Sequence, residues 1–326
     1  MKKRYNFIAW FRFALGFILL CLCVRHVSLA AIARHFASAD TKWVILAVVA
    51  VLASSVVGAC NLLVLINRDR SIRIGWFLPM YWTSWAVGLV VPGQIGDVAS
   101  ITMLLAGQGH DWPAILSRSI LDKIVSFVVF VGFACFGFGH YSSSVRFAGG
   151  AILAVLLCVS GILCLVWKWS KRGGFDKGRI GMLALQFDHI VSEFIRSATK
   201  SPSRLLFNGI GTTVKFAMTG MAYWAIFRGF GQNSVTYFEV LPLVAATSLV
   251  AYVPISFNGI GTVEMAGVWL FSSIGLSAST VISSYVLLRG SVFLLAWIPS
   301  GIWLLTLRGK REGKPFSARK VTFYKD

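Results

Sequence analysis

Pro254-Ile255-Ser256-Phe257-Asn258-Gly259-Ile260-Gly261-Thr262-Val263-Glu264 interrupts an apolar run that begins near residue 239 and resumes over 262–273. A second interruption of the same make-up, Val91-Pro92-Gly93-Gln94-Ile95-Gly96-Asp97, breaks the run that starts at residue 75 and resumes over 98–106. Each sets Pro, then two Gly flanking an Ile, then an acid, against an apolar half-helix. Proline removes a backbone donor and glycine loosens the helix. Hydrocarbon offers nothing to satisfy the backbone groups freed in this way. Broken helices at membrane depth therefore occur where protein buries them or where they line a wet cavity. Two such elements in one chain predict an internal repeat with a binding site at the breaks.

Outward from the breaks, the composition sets the class. Of 326 residues, 57% are hydrophobic and only 13% charged, and the mean hydropathy is +0.75. A soluble domain of this size needs about a quarter of its residues charged, so the bilayer must be the solvent. Runs at 43–66 and 147–167 reach the roughly 20 residues that a spanning helix needs. Met1-Lys2-Lys3-Arg4 before 7–24 resembles the start of a signal peptide, but no small-residue cleavage site follows. That stretch reads as the first spanning helix. Further helices are expected at 117–138, 205–229 and 278–307. Leu29, Ile32 and Phe36 mark a short interfacial helix. Within the insert at 168–204, Ile180, Leu183, Phe187, Ile190 and Phe194 alternate steps of three and four, as an amphipathic helix does. The expected fold is thus all-α, a polytopic transmembrane bundle forming one domain over 1–326.

The net charge of +19 does not point to nucleic acid, because the Lys and Arg residues gather in short segments between apolar runs. Those segments are cytoplasmic by the positive-inside bias: the N-terminus, residues 68–73, the insert at 168–204 and the tail from 308. The parity of crossings then places the 107–113 loop inside and the 274–277 loop outside. The two broken elements enter from opposite faces, as inverted, re-entrant repeats at about 75–138 and 239–307. With one residue of slippage, Gly109 matches Gly275, Ser117 matches Ser283, Leu121 matches Leu287 and Lys123 matches Arg289.

An ionisable residue at the bilayer centre costs roughly 2.5–3.5 kcal/mol, so each needs a reason. Asp97 and Glu264 sit in the breaks, to cap a half-helix, pair with a cation or act on a substrate. Lys123 and Arg289, one helix later in each half, are placed to neutralise those acids or to hold a lipid phosphate. Arg118 and Asp122 stand four apart and suit a pair. Lys215 lies too deep to snorkel and is expected to face the bundle interior. Gly93, Gly96, Gly259 and Gly261 permit close approach, Gln94 and Asn258 offer polar groups at the breaks, and the half-helix N-termini suit an anion. The six cysteines and five histidines show no metal-ligand spacing and no nucleophile–base set, so neither a cofactor nor a metal is expected.

The segment 254–307, with Asn258-Gly259-Ile260-Gly261-Thr262-Val263-Glu264, resembles the C-terminal signature of a flippase-like family that shares the transmembrane region of lysylphosphatidylglycerol synthases. Pro92-Gly93-Gln94-Ile95-Gly96-Asp97, followed by Arg118 and Leu121-Asp122-Lys123, resembles its N-terminal counterpart. The resemblance implies movement or presentation of lipids in the cytoplasmic membrane, in envelope lipid or glycan biogenesis. The expected ligand is an anionic phospholipid or a polyprenyl-phosphate-linked lipid. Too little chain follows the last helix for the soluble aminoacyl-transferring domain of the synthases, so no enzyme activity is expected. The alternative is an accessory subunit that docks a membrane enzyme through the amphipathic insert.

Overall fold

The computed structural model describes residues 29–67, 72–91, 96–138, 202–252, 256 and 259–311, with Asp188, Ser192 and Arg196. They form α1 (Leu29–Ala37), α2 (Thr41–Ile66), α3 (Ile74–Val90), α4 (Gly96–Ala106), α5 (Trp112–Phe138), α6 (Pro202–Gly229), α7 (Tyr237–Tyr252), α8 (Thr262–Phe271) and α9 (Ala278–Arg311). A 3-10 turn at Ser272–Ile274 follows α8. The described residues contain no strand. The spanning helices expected at 7–24 and 147–167 lie outside them, as does nearly all of the amphipathic insert.

Among the described residues three helices are long and apolar enough to cross a membrane, over Thr41–Ile66, Trp112–Gly137 and Ala278–Thr306. At about 1.5 Å per residue, the shortest of these (26 residues) overruns the ~30 Å hydrocarbon core. The apolar α4, α7 and α8 are too short to cross alone. α6 was expected to span, and at 28 residues it is long enough, yet it is not among the three. Asn208, Thr212, Lys215 and Thr219, at steps of four and three, run a polar stripe down one side and lower its hydropathy.

Local chemistry sets the helix ends. The Asp40 side chain accepts from the Lys42 N–H at 3.0 Å and caps α2. Beyond its other end, the Asn67 side chain donates to the Ile72 carbonyl and accepts from the Ile72 N–H, at 2.7 and 3.1 Å. α5 and α6 begin earlier than their apolar runs suggest, at Trp112 rather than 117 and at Pro202 rather than 205. Pro113 and Pro202 sit in their first turns, where a missing N–H costs nothing. α9 continues to Arg311, past the expected end at 307.

Among the described helices α2 and α6 make the most extensive pair, and they run antiparallel. The Asp40 N–H, just before α2, donates to the Gly229 carbonyl at the end of α6 at 3.0 Å. Asn61 near the end of α2 donates to Thr212 near the start of α6 at 2.9 Å. Burial alone does not drive helices together in lipid, where small residues that allow close contact take over. Gly137 of α5 shows this: a Cβ there would lie 2.0 Å from the Pro242 Cβ of α7. One apolar cluster joins Leu62 and Ile66 of α2, Ile72, Phe77 and Met80 at and within α3, Ile101 and Leu105 of α4 and Ile115 of α5. A larger one centres on α7, drawing in Phe216 and Phe227 of α6, Phe271 of α8 and Val281 and Tyr285 of α9.

Candidate functional site

Each half-helix N-terminus engages its own acid. Gly261 stands at φ 82°, the left-handed side that favours glycine, and leads the chain into α8. From the first turn of α8, Glu264 Oε2 accepts the Gly261 N–H at 2.7 Å. Its second oxygen, Oε1, takes the Arg289 Nε at 2.5 Å. Asp97 divides itself in the same way at the start of α4: Oδ1 accepts the Val98 N–H at 2.9 Å, and Oδ2 takes the Lys123 ammonium. Each acid thus holds a helix start and a cation on a following helix. The N–H groups expected to face an anion are occupied in part by these carboxylates. The two pairs differ in burial. Glu264 is 2% exposed and Arg289 25%, whereas Lys123 and Asp97 are 25% and 27% exposed.

A cavity of about 340 Å³ is lined by residues from every helix from α2 to α9. It brings together Asp97, Asp122, Lys123, Lys215 and Arg289, five of the residues expected from the sequence. Glu264 reaches it through Arg289. Asp122 is held by two amides from helices distant in sequence, with Oδ1 accepting from Asn208 at 2.8 Å and from Asn61 at 3.4 Å. One Nη of Arg118, a turn earlier, donates to the Ile66 carbonyl at the end of α2 at 2.8 Å. Lys215 lines the cavity, and among the described residues it forms no ion pair. Gly96 is buried as the first residue of α4, where a Cβ would lie 2.5 Å from the Val91 Cβ. Gly259 is buried at φ 70° beside Ala251. Gly93, Gln94 and Asn258 lie outside the described residues.

Sequence reasoning missed most of the hydroxyl lining. Ser54 of α2, Ser119 and Ser126 of α5, Thr219 of α6, and Tyr81, Tyr252 and Tyr285 all face the cavity. The signal was present on α5, where Ser119, Asp122, Lys123 and Ser126 recur at three, one and three. That spacing puts four polar groups on one helix face in an otherwise apolar run. Asn61 and Asn208 carried a weaker signal, as lone amides within apolar helices.

A profile of the lysylphosphatidylglycerol synthase TM region matches residues 9–300. The chain belongs to that family. No curated protein matches it significantly.

Proposed function

We propose that this family member is a flippase-like lipid transporter of the cytoplasmic membrane. It moves or presents an anionic phospholipid or a polyprenyl-phosphate-linked lipid in envelope lipid or glycan biogenesis. The observation that carries this reading is the pairing of Asp97 with Lys123 and of Glu264 with Arg289 around one intramembrane cavity. Charges this costly to place in a membrane line substrate paths as a rule. Cations already matched to internal carboxylates can exchange them for a headgroup phosphate. A volume near 340 Å³ is at the small end for ligand pockets, which run from about 300 Å³. It suits a headgroup and leaves the acyl chains outside in lipid.

The element series supports an inverted repeat. Helices of 17, 11 and 27 residues in the first half answer helices of 16, 10 and 34 in the second. The acid and its cation lie 26 residues apart in the first half and one residue closer in the second. Gly88 of α3 packs against Asp97, while Phe77 and Met80 share a cluster with Ile101 and Leu105. Those contacts fit an α4 that folds back along α3 as a re-entrant hairpin. Basic segments on the cytoplasmic side would then leave both chain ends inside.

The test is lipid movement in proteoliposomes. Wild type is compared with Asp97→Asn/Glu264→Gln across lipids of different headgroup, each read by a membrane-impermeant quencher. Headgroup-selective movement that the variant loses is the expected result. Folded wild-type protein that moves no lipid would end the transport reading and favour an accessory subunit of a membrane enzyme.

A further inference from the structure

We propose that Lys215, with the Ser119 and Ser126 hydroxyls, is the anchor for a phosphate group in this cavity. The proposal deepens the transport reading, because it names where the headgroup is first held and by what chemistry.

Among the described residues three cations line the cavity, and two of them are committed to carboxylates. Lys123 and Arg289 each have a carboxylate in contact. Lys215 has none within ion-pairing distance among the described residues, although it is half-buried on the face of α6 that lines the cavity. An ammonium held in that environment needs a partner, and an anionic ligand supplies one. Its position is fixed by close packing. Gly58 on α2 has no side chain, and a Cβ there would meet the Tyr81 hydroxyl at 2.5 Å and the Lys215 Cδ at 3.3 Å. Glycine at that point lets the lysine stem and the tyrosine hydroxyl lie together against α2.

The second observation is independent of charge. Ser119 and Ser126 are 2% and 3% exposed and line the same cavity, yet among the described residues neither hydroxyl oxygen has a hydrogen-bond partner. Buried hydroxyls nearly always have one. Seven apart on α5, they flank Asp122 and Lys123 on a single face, and Tyr252 of α7 lines the same cavity as Lys123 and Lys215. Seven residues span ~10.5 Å along α5, so a tetrahedral oxyanion held by the ammonium meets one hydroxyl at a time and can pass from one to the other along the cavity. The flat fork of Arg289, which suits a carboxylate, is already on Glu264.

Binding is measured on the full chain in nanodiscs of zwitterionic lipid, with radiolabelled inorganic phosphate and with glycerophosphoglycerol as probes. Lys215→Met is expected to weaken both by about tenfold or more, Lys215→Arg to keep most of the affinity, and Ser119→Ala/Ser126→Ala to cost about threefold to tenfold. Equal affinity in wild type and Lys215→Met overturns the assignment, as does a wild type that binds neither probe. If Lys215→Met does not fold, the serine variant decides, and unchanged affinity there overturns it too. Displacement of phosphate by short-chain phosphatidylglycerol identifies a lipid headgroup as the ligand. Its failure to displace identifies the free anion and leaves the anchor in place. The two proposals separate cleanly. Lipid movement alongside binding indifferent to Lys215 rejects this anchor alone, whereas Lys215-dependent binding without lipid movement rejects transport alone.

Discussion

Glu264 and Asp97 do the same work at different depths, and the difference predicts unequal costs. Arg289→Met strands a carboxylate that is 2% exposed, which is expected to cost about 3–5 kcal/mol. Lys123→Met leaves behind an acid that is 27% exposed, and water tempers the loss to about 1–2 kcal/mol. Glu264→Gln added to Arg289→Met should recover much of the stability, since the amide oxygen still accepts the Gly261 N–H while the stranded charge is gone. Unfolding in mixed micelles checks the order, and an Arg289→Met variant no weaker than Lys123→Met would refute it. Both acid–base pairs were legible in the sequence, because acid and cation recur at nearly one interval in two similar segments. The amide clamp on Asp122 was not. Asn61 and Asn208 lie 61 and 86 residues from it, and only the packing of α2, α5 and α6 decides which side chains meet.

Two glycines of α5 look alike in the sequence but do different work in the fold. A Cβ at Gly137 would press into Pro242 of α7, at 2.0 Å from Cβ and 2.6 Å from Cγ, whereas one at Gly132 meets nothing within 4 Å. Gly137→Ala must push α5 from α7 and is expected to cost about 1–3 kcal/mol. Gly132→Ala should gain about 0.5–1 kcal/mol, because alanine loses less conformational freedom on entering a helix. Melting temperatures in a single detergent should move in opposite directions, and a shared direction would mean that α5 and α7 do not meet as described. At this scale the helices themselves were legible from apolar run length. Their starts were not, because Pro113 and Pro202 read as loop residues in the sequence and serve as first-turn residues in the structure.

The broken elements can be inverted only if the loops that follow them lie at opposite ends of the bundle, and the contacts provide a ruler for this. α2 and α6 run antiparallel, so the end of α2 and the end of α6 mark opposite poles. Arg118, just past the loop after α4, donates to the Ile66 carbonyl at the end of α2. Phe271, just before the loop after α8, packs on Phe227 at the end of α6, with ring centroids 5.1 Å apart. In sequence the basic segment 68–73 follows Ile66 directly, and the proposed orientation, by the positive-inside bias, puts that pole in the cytoplasm. A cysteine at exposed Gln108, in a background whose own six cysteines are replaced, should therefore react with an impermeant maleimide only from the cytoplasmic side. A cysteine at exposed Ser273 should react only from the opposite side. Labelling of both from one side would reject the inverted arrangement but leave the ion pairs intact, since those depend on packing within each half. The sequence argues for this proposed topology through charge and parity, and the contacts argue for opposite poles through helix direction. The two arguments share only the positive-inside premise that says which pole is cytoplasmic, so one pair of labelling experiments tests both.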